Sequence, residues 1–192
     1  MTHQNQKNNE MKKKSPLLIF DTNIFLTGID FSLFDRIIYT TPSIIKEIKV
    51  KKYTQKNQNI LNKIYAAFEN KTLIIKPPEQ KYMQTVVKKS KLTGDYNALS
   101  DTDRELIALA LELAKNNENN VKVFSNDYSL ENVCYELNIP FFSLYKDGIK
   151  SKIIWEVYCP YCKKTHKVED LYKTCEICGS KLKRRLKRNK IY

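Results

Sequence analysis

Glycine is scarce in this chain, with four residues among 192. Loops that cradle nucleotide phosphates need glycines packed into a few positions, and no G-x-x-x-x-G-K-[ST] run is present. Histidine occurs twice, as His3 and His166. Neither lies where a fold would assemble an imidazole acid–base pair, and no Ser-His-Asp or Cys-His set can be put together. No segment is long and apolar enough to span a bilayer. Residues 1–14 are polar throughout and lack the apolar stretch of a secretory signal. They are expected to form a disordered extension, with the chain residing in the reducing cytoplasm and making no membrane contact.

Positive charge is abundant. The formal net charge is +13, which favours an anionic partner. Residues 151–192 carry 12 Lys/Arg against 4 Asp/Glu. The densest run spans 181–190, and its Lys181, Lys183, Arg184, Arg185, Lys187 and Arg188 are expected to contact phosphates along a nucleic-acid backbone, RNA or DNA. A solvated tail is the plainer reading of the same run. Leu182 and Leu186 are too few to form a membrane-binding face.

Four of the five cysteines stand in two pairs, Cys159-Pro-Tyr-Cys162 and Cys175-Glu-Ile-Cys178-Gly179. This spacing lets two tight turns present four thiolates to one Zn²⁺, the closed arrangement of a structural site. Gly179 suits the left-handed turn that follows the second pair. The segment between the pairs is short and Lys-rich, so metal has to replace a core there. Disulfides are the alternative, disfavoured by the expected compartment. With four cysteines supplied, His166 is expected at the surface. The fifth, Cys134, lies at helical spacing with Leu130, Val133 and Leu137 and reads as core.

The region before the cysteines alternates short apolar runs with helical periodicity. Strands are expected at 17–20, 36–40, 72–76, 121–125 and 141–145. Helices are expected at 43–50, 57–69, 79–90, 100–115 and 128–137, with Thr41-Pro42 as a helix start and Thr93-Gly94-Asp95 as a turn. Alternation of this kind predicts an α/β fold, a parallel sheet flanked by helices. The domain is expected to cover 15–150, closing at Asp147-Gly148, with a zinc ribbon at 151–180 and a basic tail at 181–192.

Four acids stand out by position. Asp21 and Asp127 follow the first and fourth strands, at the carboxyl edge where open α/β sheets bind ligands. Glu47 lies beside the apolar stripe of its helix, near Ile44 and Ile48. Asp103 shares the side of Leu106 and Ile107, whereas Asp101 falls roughly 200° away around the helix. Each acid also has a local role open to it. Ser100 and Asp103 can form an acidic capping box, Asp127 can cap the next helix, and Asp21 can stabilise a turn. Together, four carboxylates at one edge repel unless cations neutralise them. Mg²⁺ or Mn²⁺ would do so and would suit phosphodiester hydrolysis.

These segments resemble a known family. Phe20-Asp21-Thr22-Asn23, the Pro42–Glu47 segment, Thr93-Gly94-Asp95 with Leu99–Asp103 and Ile107–Ala110, and the Val123–Tyr128 segment are similar, in that order, to the motifs of PIN-domain ribonucleases. A PIN domain followed by a four-cysteine ribbon and basic residues resembles the archaeal Nob-type endonucleases. Ser125-Asn126 departs from the pattern, standing where acidic or Thr residues are common. The resemblance implies that Asp21, Glu47, Asp103 and Asp127 bind one or two Mn²⁺ or Mg²⁺ ions, with Asn23 and Ser125 supporting them. It implies cleavage of precursor small-subunit rRNA at its 3′ end, on the assembling small ribosomal subunit, leaving a 5′-phosphate and a 3′-hydroxyl. Two other readings remain open: a toxin-type PIN ribonuclease acting on tRNA or mRNA, and a non-catalytic RNA-binding assembly factor.

Overall fold

The computed structural model describes residues 15–30, 34–50, 54–116, 120–144 and 154–187. The expected extension at 1–14, the domain end at Asp147-Gly148, and Arg188 lie outside these. Five parallel strands form the first sheet: β1 (Leu17–Phe20), β2 (Ile38–Thr40), β3 (Leu73–Ile75), β4 (Val121–Phe124) and β5 (Phe141–Phe142). Their order is β3-β2-β1-β4-β5. The chain therefore winds outward from β1 to β3, then returns to the other side of β1 to lay down β4. The reversal point lies between β1 and β4, the position beyond whose strand ends open α/β sheets bind ligands.

Among the described residues the connections carry six α-helices: α1 (Thr22–Leu26), α2 (Pro42–Ile48), α3 (Thr54–Glu69), α4 (Gln80–Thr93), α5 (Asp101–Asn116) and α6 (Tyr128–Glu136). Helices α1, α2 and α3 contact one another, and so do α4, α5 and α6. Right-handed crossovers on either side of β1 place these two sets on opposite faces of the sheet. Every expected strand and helix of this region forms, with ends shifted by a few residues. The five-residue α1 is additional, being too short for a periodic signal.

The core runs between the layers. Leu106 to Leu111 of α5, Ile19 and Phe20 of β1, Val123 of β4 and Leu130, Val133 and Cys134 of α6 are all buried, each large apolar side chain contributing about 1.5–3 kcal/mol. At the carboxyl edge Phe20 meets Phe25, Phe34 and Phe124 edge-on, and Phe124 stacks on Phe142 at 5.4 Å. This aromatic cluster stiffens the ends of β1 and β4, from which the site is built. Glu112 is fully buried yet bonded to Lys76 Nζ and to the Glu79 N–H at 2.8 Å, which fixes the start of α4. Thr41 does precede α2, but its hydroxyl makes no cap bond.

The second sheet has the order β7-β6-β8, with β6 (Trp155–Tyr158) antiparallel to both β7 (Thr165–His166) and β8 (Lys183–Leu186). The boundary expected at residue 180 thus falls inside the ribbon, because the basic run supplies one of its strands. Period-two alternation explains the difference. Leu182 is buried and Arg184 half-buried, while Lys181, Lys183, Arg185 and Lys187 are exposed. The apolar part of this core is Val157, Leu171 and Leu182, packed around Cys159 and Cys175.

Candidate active site and metal centre

The backbone sets the site first. The Asp21 N–H donates to Phe124 O at 3.1 Å as β1 ends beside β4. Asp21 then turns the chain into α1, its Oδ1 accepting from the Thr22 N–H at 2.6 Å. Its Oδ2 accepts from Asn23 Nδ2 and from Ser125 Oγ, each at 2.6 Å. Ser125 Oγ also accepts from the Asp127 N–H at 3.1 Å. Asn23 Oδ1 accepts from the Asn126 N–H at 3.3 Å. Asn23 and Ser125 therefore tie the loop after β1 to the loop after β4. Asn126 continues the tie, its Oδ1 accepting from Ser143 Oγ and the Leu144 N–H beyond β5.

The other three acids arrive from three helices. Glu47, exposed near the end of α2, accepts from Thr22 Oγ1 at 2.6 Å, which ties it to the residue that follows Asp21. Asp103 forms the capping box of α5: its Oδ2 takes the Ser100 N–H and hydroxyl at 2.8 Å, and Ser100 Oγ takes the Asp103 N–H at 3.1 Å. Asp127 caps α6, its Oδ1 accepting from the Ser129 N–H at 2.6 Å and the Leu130 N–H at 3.4 Å. The local roles open to these acids are real, and each occupies a particular oxygen. Asp101 behaves differently, its side chain 98% exposed and paired with Arg104.

The carboxylates sense one another. Burial pushes the Asp21 carboxyl up from 3.8 to about 6, and the negative charges of Asp103 and Asp127 add to the rise while Ser125 and the Thr22 N–H oppose it. Asp103 is also raised, first by burial and further by Asp127 and Glu47, against the hydrogen bonds from Ser100. A buried carboxylate held among like charges is a poor anion alone and a good ligand for a hard cation. The donor set, carboxylate oxygens with hydroxyl and amide support, fits Mg²⁺ or Mn²⁺.

In the ribbon the two cysteine turns repeat one geometry. The Cys159 N–H donates to Lys164 O and the Lys163 N–H to Cys159 O; the Cys175 N–H donates to Ser180 O and the Gly179 N–H to Cys175 O. The equivalent residues Lys163 and Gly179 both adopt left-handed backbone, φ 63° and 72°. All four Sγ atoms lie within 4.8 Å of one another, with Cys159 and Cys178 at 3.3 Å and Cys162 and Cys175 at 3.7 Å. Four thiolates around one tetrahedral Zn²⁺ sit about 3.8 Å apart, so the set fits. The Ser180 N–H and hydroxyl draw the Cys178 thiol down to about 6, favouring the thiolate. His166 is half-buried rather than at the surface, its Nε2 3.6 Å from Cys175 Sγ.

The ribbon rests on the first domain. Arg184 donates to Asp95 Oδ1 at 2.9 Å and Ser129 Oγ at 3.2 Å, with its guanidinium 4.5 Å from the centre of the Trp155 ring. Asp95 is fully buried and also accepts from Asn132 at 2.6 Å. Asn97 donates to Val168 O at 3.0 Å. Gly94 ends α4 at φ 79°, and a Cβ there would stand 2.6 Å from Trp155 O. The sequence showed Thr93-Gly94-Asp95 as a turn; its role as the ribbon's seat needed the contact itself. Arg185, exposed, pairs with Glu156 at 2.7 Å and lies over Tyr158.

Comparison with known proteins agrees with this geometry. The family described as the PIN domain of ribonuclease matches residues 18–113. A protein named Endoribonuclease Nob1 from Methanocaldococcus jannaschii is 30% identical over 90% of this chain and 79% of its own length. Its namesake from Pyrococcus abyssi is 30% identical over 86% of this chain and 91% of its own. A protein named Ribonuclease VapC1 from Thermoplasma acidophilum is 28% identical over 91% and 80% respectively, so length does not separate the two names.

Proposed function

We propose, from the premise that this chain belongs to the PIN-domain ribonucleases and among them to the Nob1 endoribonucleases, that it cleaves precursor small-subunit rRNA at its 3′ end. Asp21, Glu47, Asp103 and Asp127 would hold one or two Mg²⁺ or Mn²⁺ ions. Such ions, when bound, lower the pKa of water and offset charge on a phosphodiester. The chain's own contribution is to place the ligands beforehand. Asn23 and Ser125 fix Asp21 Oδ2 and the Thr22 N–H fixes its Oδ1, the Thr22 hydroxyl orients Glu47, and the caps of α5 and α6 hold Asp103 and Asp127. The products expected are a 5′-phosphate and a 3′-hydroxyl.

The observation that carries this reading is the meeting of Asp21 and Asp127 beyond β1 and β4, joined through Ser125 Oγ. The exposed row Lys181, Lys183, Arg185 and Lys187 would grip phosphates of the same RNA. Zn²⁺ on Cys159, Cys162, Cys175 and Cys178 would be structural. Among the described residues no helix is long and apolar enough to cross a membrane.

The VapC1 similarity keeps a second substrate class in view. Purified protein with Mn²⁺ or Mg²⁺ should cut a transcript spanning the 3′ end of the small-subunit rRNA at one position. Faster cutting of tRNA or mRNA under the same conditions would favour the toxin-like reading. Binding without cutting under any divalent ion would favour the non-catalytic one.

A further inference from the structure

Arg184 sits in the most basic stretch of the chain yet faces away from solvent partners. Its neighbours in sequence, Lys183 and Arg185, are exposed, while Arg184 turns to the opposite side of β8 and reaches the buried Asp95. An arginine with its fork on a buried carboxylate and its face on an indole is already occupied. It has little left to offer a phosphate.

What it touches matters more. Ser129 carries two contacts at once. Its hydroxyl accepts from Arg184, and its N–H holds Asp127 Oδ1 at 2.6 Å. Asn132, one turn further along α6, donates to Asp95. The ribbon therefore braces the first turn of α6, and that turn carries the Asp127 carboxylate. The close approach of Gly94 to Trp155 seats the same contact from below.

We infer that Arg184 is a positioning residue, which docks the ribbon on the nuclease domain and, through Ser129, holds Asp127 in the active site. The inference rests on the reading of Asp127 as a site acid. Docking also fixes the distance from the basic row on β8 to the cut, so an RNA gripped by the ribbon is presented at one place.

The test uses the full-length zinc-loaded protein and the rRNA 3′-end transcript, with Lys183→Ala as the phosphate-contact control. Binding is measured across a salt series, cleavage as kcat and KM, and amide hydrogen exchange at Ser129 and Leu130 without RNA. Lys183→Ala should make the log–log salt slope shallower by about 0.7–0.9. Arg184→Ala should leave that slope unchanged, lower kcat about tenfold with KM little altered, and speed exchange at Ser129 and Leu130 at least tenfold. Arg184→Lys should not restore kcat, because an ammonium cannot bridge Asp95 and Ser129 as a fork. Ser129→Ala keeps the backbone N–H and should shift kcat and exchange the same way by less, which covers failure of Arg184→Ala to fold. A salt slope that falls as much for Arg184→Ala as for Lys183→Ala would overturn the inference, as would unchanged exchange in both variants. Should the wild type cut no RNA, the functional reading fails, and the exchange data still decide whether the ribbon braces α6.

Discussion

Ser125 Oγ donates to Asp21 Oδ2 at 2.6 Å across 104 positions of sequence, and accepts from the Asp127 N–H at 3.1 Å. One hydroxyl thus sets the spacing between the acids that follow β1 and β4. Ser125→Ala should remove a bond that favours the Asp21 anion, so the Asp21 carboxyl of the metal-free protein rises above about 6. Carboxyl chemical shifts followed through a pH titration check this. An unmoved Asp21 titration would mean the bond does not form in solution.

Asp21→Asn should abolish cleavage while leaving RNA binding intact, and it should stabilise the metal-free protein. The sign follows from the raised value. Asp21 titrates near 3.8 when unfolded and about 6 when folded. Between these the folded state holds the extra proton, so wild-type stability falls as pH rises through that window. Above it the ionised group costs about 3 kcal/mol at most. The neutral amide avoids this cost, although it gives up one good acceptor. Melting in chelator should show the variant's advantage absent near pH 3, about half developed at pH 5 and full at pH 8. Added Mn²⁺ should raise the wild-type Tm and not the variant's.

Asp103→Asn should lower kcat about a hundredfold or more, and Asp101→Asn should leave it within about twofold. Asp103 is buried enough to sense Asp127 and Glu47, whereas Asp101 is 98% exposed beside Arg104. The Asp101 variant loses one exposed ion pair, about 0–1 kcal/mol of stability. Loss of the capping box in Asp103→Asn costs about 1 kcal/mol. Matched kinetics and melting on both variants separate chemistry from folding, and equal kcat losses would place the metal-facing side of α5 wrongly.

The parallel sheet and the two strand-end acids were legible because strand-end position is a sequence property: apolar runs end where Asp21 and the Ser125–Asp127 segment begin, whereas the strand order β3-β2-β1-β4-β5 became visible only with the structure. The helix phase that separates Asp103 from Asp101 was legible for the same reason. The ribbon's last strand was not. A run of cations reads as solvated, and the alternation of buried Leu182 and half-buried Arg184 with outward Lys and Arg is visible only once a partner strand is known. Asp95 was opaque as well, since a Gly-Asp turn carries no sign that a second domain will cover it. His166 was placed at the surface because four cysteines complete a site, which leaves out what packs beside it.

Gly94→Ala should undock the ribbon without unfolding either part. A left-handed residue with a Cβ costs about 1–2 kcal/mol, and this Cβ would lie 2.6 Å from Trp155 O at φ 79°. Backbone cannot yield as a flexible side chain would. The chain holds one tryptophan, so emission from Trp155 reports the seat directly. A red shift at a temperature where far-ultraviolet circular dichroism is unchanged is the expected result; an unchanged emission maximum would show that the seat tolerates a methyl group.

Removal of zinc should do more than melt the ribbon. Its core holds Val157, Leu171 and Leu182 besides two of the cysteines, too little apolar surface to fold alone. Cys175→Ser or a strong chelator should therefore unfold residues 155–186. The nuclease domain buries its own layers and should remain folded, but its seat is left bare. Asp95, fully buried beneath Arg184, would lose its charged partner, and burial already pushes its carboxyl upward. Breaking one partner of a buried pair costs about 3–5 kcal/mol where no water replaces it; here the departing ribbon admits water, so the expected loss is smaller, about 1–2 kcal/mol. The Tm of the nuclease domain should fall accordingly. Asp95→Asn in the zinc-free protein should recover most of that loss, because the amide needs no counter-charge. RNA binding should weaken and its salt slope flatten, as the row Lys181, Lys183, Arg185 and Lys187 is no longer held in register. Elemental analysis gives the metal content, and melting of the four combinations of zinc and Asp95→Asn gives the coupling. A nuclease domain whose Tm does not respond to zinc would show that the Arg184–Asp95 contact carries no stability.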